Sequence, residues 1–508
     1  MSQGESRARR TRSERTKSSI ERRRGRAKRA AWMAAAGIAW LPALATAATQ
    51  SPAQISQQQA AAPAPAPIDP AVQQRLDELE KSIQAIRNDI TDVRTEQQKP
   101  PAPGVKVTTK GGLQVQTDDG QFSFRAIGRL QVDGAFYNQD KSKLGDGVQL
   151  RRARLGAQGT LFYDWLYKVE FDFGRDTAAG TVGTKDAYIS YVGWNPVQFT
   201  IGNHYEPFCL ECVTSEAFTT FIERALPITQ PTSSFDPDRH IGISASHYDS
   251  NWSASVGAFM KNLDDTVPTN EGDQQFDVAG RLTYDPILEK TRVLHVGVSG
   301  RYSNPSDSTV ALSLKPESNV TAVKFLNTGI IANVDHFIEV APELAVVWGP
   351  ASIQGEYFWD SIKRTHPSGT ATSPSVDLTG WYAYASYFLT GESRNYNPTI
   401  ARFDRVSPFK NLNQDGGWGA FELAARVSNA NYDDGPFFQH GEETNYTLGL
   451  NWYANPYIKF MANYIWVLNN NSATGLAGDS SQPKLLPGHA NDRNDNPQIF
   501  ELRAQVDW

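Results

Sequence analysis

The chain has very little cysteine, no long apolar run beyond its first fifty residues, and no surplus of positive charge once those residues are set aside. Its only cysteines, Cys209 and Cys212, are spaced C-x-x-C. Two sulfurs with no histidine pair nearby cannot complete a four-ligand zinc site. A redox motif would need a βαβ setting, which the surrounding pattern lacks. What remains is a local disulfide pinning a loop in an oxidising compartment. Past residue 48 no stretch approaches the ~18 apolar residues that a membrane helix needs. The eight histidines stand in no recognisable nucleophile motif. A hydrolase built on a Ser/His/Asp set is therefore not indicated, and nothing calls for a metal or a cofactor.

Positive charge is concentrated at the start. Residues 1–29 carry twelve Lys/Arg, an apolar run extends from Ala30 to Leu44, and Ala45-Thr46-Ala47 forms a small-residue cleavage site. Together these read as a signal peptide over 1–48. A basic nucleic-acid-binding tail is the alternative; the apolar run directly after the charges argues against it. Without residues 1–48, Lys+Arg falls from 49 to 37 and Asp+Glu from 55 to 52, leaving a net charge of −15. Nucleic acid is thus not an expected partner, and any preference for anions must come from local basic clusters.

Residues 49–70 are rich in Ala, Pro and Gln and read as a stiff linker. In 71–98, Val72, Leu76, Leu79, Ile83, Ile86, Ile90 and Val93 recur at spacings of 4 and 3 in strict alternation, with charged residues between them. This is a heptad seam, and Leu or Ile at both seam positions favours three strands over two. The alternative is a single amphipathic helix packed on the next domain.

From about 110 to 508 the period becomes 2. Phe122, Phe124, Ala126, Leu130, Val132 and Phe136 share one face of 121–137, opposite Gln121, Ser123, Arg125, Arg129, Gln131 and Asp133. The segments 165–175 and 457–468 alternate likewise. Strands of this kind, joined alternately by short turns and long loops, are the pattern of a membrane barrel. The count is sixteen, from 121–137 and 148–162 to 457–468 and 498–508. Residues 390–416 break the rule, being long yet on the short-turn side. Six of the twelve tryptophans (Trp165, Trp194, Trp252, Trp348, Trp452 and Trp508) fall near the short turns or the C-terminus, as an aromatic girdle would. The last strand alternates Phe500, Leu502, Ala504 and Val506 with Glu501, Arg503, Gln505 and Asp507 and ends on Trp508. Such an ending resembles the sorting signal of bacterial outer-membrane proteins. The expected fold is an all-β transmembrane antiparallel β-barrel of about sixteen strands over 110–508, preceded by a short coiled-coil helix and embedded in outer-membrane lipid.

Several short motifs then point to a family. Leu150-Arg151-Arg152-Ala153-Arg154-Leu155-Gly156 followed by Gly159-Thr160-Leu161-Phe162 resembles the second strand of the phosphate-selective porin O and P family. Lys185-Asp186-Ala187-Tyr188-Ile189, Gly202-Asn203, Glu206-Pro207-Phe208 and Phe221-Ile222-Glu223-Arg224-Ala225 continue the likeness. Thr390-Gly391-Glu392-Ser393-Arg394 and Glu422-Leu423-Ala424-Ala425-Arg426 follow in the same order. The resemblance implies a sixteen-stranded trimeric porin whose third outer loop folds into the lumen. One departure stands out: that family usually has Gly after Glu-Pro-Phe, and here Cys209 follows Phe208.

A pore selects by width and by rings of charge. Arginine suits phosphate because its planar fork binds two oxygens at once. Strand parity turns Arg125, Arg129, Arg152 and Arg154 inward, and the resemblance adds Arg224 in the third loop; these five are the expected anion contacts. The same walls carry Glu170, Asp172, Asp277, Glu422 and Glu501. Charges paired in a wet lumen, with Arg152 and Arg154 bracing acidic residues of the inward loop, are therefore the competing reading. The expected function is passive passage of small anions, phosphate or polyphosphate. A general or sugar-passing channel with little selectivity is the first alternative, and a non-conducting adhesin or structural barrel the second.

Overall fold

A strand that alternates polar and apolar side chains must turn one face to an apolar medium. In the computed structural model of this chain that face points outward. The residues described are 69–98, 104–109, 111–174, 182–228, 238–260, 275–306, 308–365, 374–414, 416–436, 438–470 and 494–508. The signal peptide expected over 1–48, and all of the 49–70 linker but its last two residues, lie outside them.

The chain divides into two units, Met1–Pro100 and Pro101–Trp508. In the first, helix α1 runs over Pro70–Gln98. Asp69 caps it by accepting from Ala71 N at 3.0 Å, and Pro70 stands at the first turn, where its missing N–H costs nothing. Along one chain the heptad positions from Val72 to Ile90 are exposed, Leu79 by 59% and Ile86 by 57%.

The second unit holds sixteen long strands: β1 (Ser123–Asn138), β2 (Gly147–Leu161), β3 (Trp165–Asp172), β4 (Gly183–Tyr191), β5 (Val197–Tyr205), β6 (Arg239–Tyr248), β7 (Trp252–Phe259) and β8 (Phe276–Leu288). There follow β9 (Arg292–Asn304), β10 (Val334–Trp348), β11 (Ala351–Arg364), β12 (Ser375–Phe388), β13 (Ala420–Asp434), β14 (Phe438–Asn455), β15 (Ile458–Asn470) and β16 (Gln498–Asp507). Each pairs antiparallel with the next. β16 returns to β1 in a register running from Gln498 opposite Asn138 to Asp507 opposite Arg129, closing the barrel. The sixteen strands expected from the alternation are all present. The sheet starts earlier than expected, with the short pair Val105–Thr108 and Gln114–Thr117 extending it from β1.

β16 shows which side faces lipid. Glu501, Arg503 and Gln505 are 0%, 2% and 4% exposed, whereas Phe500 and Leu502 are 40% and 41% exposed. This is the reverse of a water-soluble protein, and it is stable only if the outer medium is apolar. No helix among the described residues is long and apolar enough to cross a membrane; the strands cross instead. At the short-turn end, Trp165, Trp194, Trp252 and Trp348 are exposed, and Trp452 stacks between Phe421 and Phe460. Trp508 and Gly128 exchange backbone hydrogen bonds. The indole covers Gly128 so closely that a Cβ there would lie 2.1 Å from the ring.

Among the described residues, two connections besides the one after β5 return into the barrel. Between β9 and β10, a hairpin of Thr309–Leu314 and Leu326–Ala332 lays Val310, Leu312 and Leu314 against Phe337, Ile362, Leu378 and Tyr432 of the wall. Residues 389–419, the long segment on the short-turn side, carry a second hairpin, Asn395–Asn397 with Arg402–Asp404. Its Tyr396 and Phe403 are buried against Val293, Ala345 and Val347. A length rule for turns fails here because this segment has its own apolar side chains and buries them inward.

Candidate functional site

The connection after β5 enters the lumen at Glu206. Cys209 and Cys212 are bonded to each other, with Cα atoms 5.2 Å apart, at the start of a single helical turn, α2 (Leu210–Val213). The free N–H groups of Leu210 and Glu211 each donate to the Glu356 carboxylate of β11 at 2.8 Å, which suits the positive end of a helical turn. Arg224 closes the loop on itself, donating to the carbonyls of Cys212 at 2.9 Å and Thr214 at 3.0 Å.

Beyond this turn the loop is irregular, a series of turns and bends ending in a 3-10 turn at Leu226–Ile228. With no neighbouring strand, its carbonyl oxygens need donors from elsewhere. The wall supplies them: Lys459 Nζ donates to Thr219 O at 2.8 Å, Asn451 to Thr220 O at 2.8 Å, Arg426 to Glu223 O at 3.0 Å and Gln505 to Ala217 O at 3.0 Å. Arg503 donates to Ile222 O. The strand polarity that faces the lumen thus also holds the loop.

Four of the five expected arginines meet on one carboxylate of this loop. Arg129 lies 3.0 Å from Glu216, Arg154 3.4 Å, Arg224 3.7 Å and Arg152 4.0 Å. Arg154 also holds Asp172 at 2.7 Å and Glu170 at 3.4 Å. Burial pushes the Glu216 carboxyl up, but Arg154, Arg152 and Arg224 outweigh it and hold the group well below the usual carboxylate range. Arg125 stands apart from the four and donates to Gly111 O at 2.8 Å.

Period-two reading missed Arg151. Gln131 pairs with Arg152 and Val132 with Leu150, so Arg151 is the extra residue of a β-bulge. The bulge turns both Arg151 and Arg152 inward, and Arg151 Nε holds Glu223 at 2.8 Å together with Arg503 at 2.7 Å. The adjacent Arg151-Arg152 pair in an otherwise alternating strand was the signal: without a bulge one of them would face lipid. Other inward cations are paired as well: Arg281 with Glu343, Arg301 with Glu206 and Glu339, and Arg426 with Glu317.

A cavity of about 420 Å³ remains between the β1–β8 wall, the loop after β5 and the 389–419 segment. Its cations include Arg125, Arg129 and Arg402. Arg402, which the sequence did not single out, donates to Val213 O at 2.7 Å and so ties the 389–419 segment to the loop. Among the described residues neither Arg125 nor Arg402 has a carboxylate within ion-pair distance, unlike Arg129.

Against known proteins, the family described as phosphate-selective porin O and P matches over residues 124–508. Porin O of Pseudomonas aeruginosa is 29% identical over 394 residues, covering 71% of this chain and 86% of the relative. An uncharacterised protein of Caulobacter vibrioides is 28% identical over 391 residues, covering 74% of each. Among solved structures, an anion-selective porin from Comamonas acidovorans is similar, with 13% identity and a TM-score of 0.47 over 76% of this chain and all of that one.

Proposed function

This chain belongs to the phosphate-selective porin O and P family, and from that premise we propose that small anions, phosphate among them, cross by way of the cavity between β1–β8 and the two inward segments. The protein is a porin of the bacterial outer membrane. The observation that carries the anion reading is the pair of cavity arginines, Arg125 and Arg402, that donate only to carbonyl oxygens. Each keeps N–H donors and a full charge for a passing solute. Arg129 lines the same cavity. Arg152, Arg154 and Arg224 stand behind it around Glu216, adding positive field across a low-dielectric wall.

The test is the reversal potential of a planar bilayer across a KCl gradient, with and without phosphate. Anion preference and block by phosphate are expected. Arg125→Ala with Arg402→Ala should cut the anion-to-cation permeability ratio roughly threefold to tenfold, each lost charge acting over several ångströms of partly hydrated space. Cation preference in the unaltered porin would overturn the anion reading and leave the channel intact.

The outer-membrane protein is further proposed to assemble as a homotrimer, with 1–48 removed as a signal peptide. Support for the trimer comes from the heptad stripe of α1, whose Leu and Ile side chains lie open along a single chain. Chemical crosslinking of native membranes should give a three-chain band; a monomer band alone would refute the assembly.

A further inference from the structure

The cavity walls differ in chemistry. Five carboxylates line the cavity, Glu170, Asp186, Glu206, Asp404 and Asp507, and four of them are paired: Glu170 and Asp186 with Lys168, Asp186 also with Arg239, Glu206 with Arg301 and Asp507 with Arg405. The β4–β7 wall contributes Asp186 and Arg239, which pair with each other at 2.9 Å, and is otherwise lined by neutral side chains. In register, Ser190 of β4 lies opposite Thr200 of β5, which lies opposite Ser244 of β6. Two residues further along, towards the short-turn end, Gln198 lies opposite Ser246 and Ser246 opposite Ser255. These six all line the cavity. Neighbouring strands stand ~4.8 Å apart and same-face residues ~6.6 Å apart, so the wall is a grid of hydrogen-bonding groups on both spacings.

Part of the grid is satisfied internally. Ser190 and Thr200 share a hydrogen bond of 2.8 Å, and His204 Nε2 and Ser244 share one of 2.8 Å. Ser246 and Ser255 are half-buried and face each other, and among the described residues neither hydroxyl has a hydrogen-bond partner. Across the cavity stand Arg125, Arg129 and Arg402. Inorganic phosphate would use only the arginine side. A solute filling this space would present oxyanions to the guanidinium groups and hydroxyls to the serine–threonine grid, donating and accepting along it.

We propose that the cavity is a subsite for polyhydroxylated organic phosphates, the chemical class of sugar phosphates, with the arginines taking the phosphoryl group and the β4–β7 hydroxyls, led by Ser246 and Ser255, taking the polyol. This rests on the anion reading above and narrows it. The volume, about 420 Å³, lies in the range of small-molecule sites and exceeds what a lone phosphate fills.

The test titrates glucose 6-phosphate and inorganic phosphate separately against KCl current through the full-length porin in planar bilayers. Glucose 6-phosphate is expected to half-block at a concentration at least about fivefold below that of inorganic phosphate, the gain of one or two hydrogen bonds. Ser246→Ala with Ser255→Ala should abolish that gap by weakening glucose 6-phosphate block alone. Equal block by the two solutes in the unaltered porin, or an equal loss of both blocks in the serine variant, would overturn the subsite and leave anion passage standing. Absence of block by either, with cation preference, would instead overturn the anion reading beneath it.

Discussion

Replacing Glu216 by glutamine is expected to raise the anion-to-cation permeability ratio roughly tenfold. The substitution keeps the shape of the side chain and removes one negative charge from the centre of four guanidinium groups, those of Arg129, Arg152, Arg154 and Arg224. At ~7 Å and an effective dielectric constant near 20, a unit charge acts on a passing ion by roughly 2 kcal/mol, and mobile salt reduces this to roughly 1–2 kcal/mol. The variant should still fold, because Arg129 and Arg224 keep some access to water and Arg154 retains Asp172 and Glu170. Reversal potentials across a KCl gradient measure the ratio. An unchanged value would mean that Glu216 does not govern the field in the pore. The native protein provides a control. Because the folded-state pKa of Glu216 is depressed, its pairing contributes stability that is present above the ordinary glutamate value near 4.3 and is lost only as pH falls through the lower folded value. Selectivity should therefore stay flat from neutral pH to about 5.

The double substitution Arg152→Ala with Arg154→Ala should act in the opposite direction and cost more. Arg154 is 3% exposed and bonds to Asp172, whose side chain is fully buried. Removing the cation leaves Asp172 with only the backbone N–H groups of Ala153 and Gly174, leaves Glu170 with Lys168 alone, and loosens Glu216. Breaking a buried pair from one side costs about 3–5 kcal/mol, so the variant should unfold at distinctly lower denaturant in detergent. Any folded fraction should lose its anion preference, since the local balance swings from arginine to carboxylate. Wild-type stability with wild-type permeability ratios would remove both residues from the constriction. Stability loss with an unchanged ratio would make them braces of the loop only. The proximity of both to Glu216 already assigns them the bracing contacts; what the measurement decides is whether they also act on the solute.

Most of the barrel was legible from the residues themselves. β16 could be read position by position because lipid and lumen alternate along it, and the same held for β1 and β15. Arg125, Arg129, Arg152 and Arg154 were placed inward by that parity alone. Arg151 escaped it, because a bulge restarts the count within a strand and only the doubled arginine hints at one. Arg402 escaped for another reason: it sits in a segment with no period, on the side where turns are expected to be short. Glu216 carried no local signal either, since its four partners lie 8 to 87 positions away in the chain.

Taken alone, the sequence determined the barrel, its closure and the polarity of its two faces, because the two-residue repeat of a strand is a local property of the backbone and needs no knowledge of what lies across the lumen. Which inward charges are cancelled and which stay open to solute was decided only by tertiary structure. That depends on where three non-repeating segments come to rest inside the barrel, and charge compensation between chain-distant groups follows position in space, to which periodicity along the chain is blind.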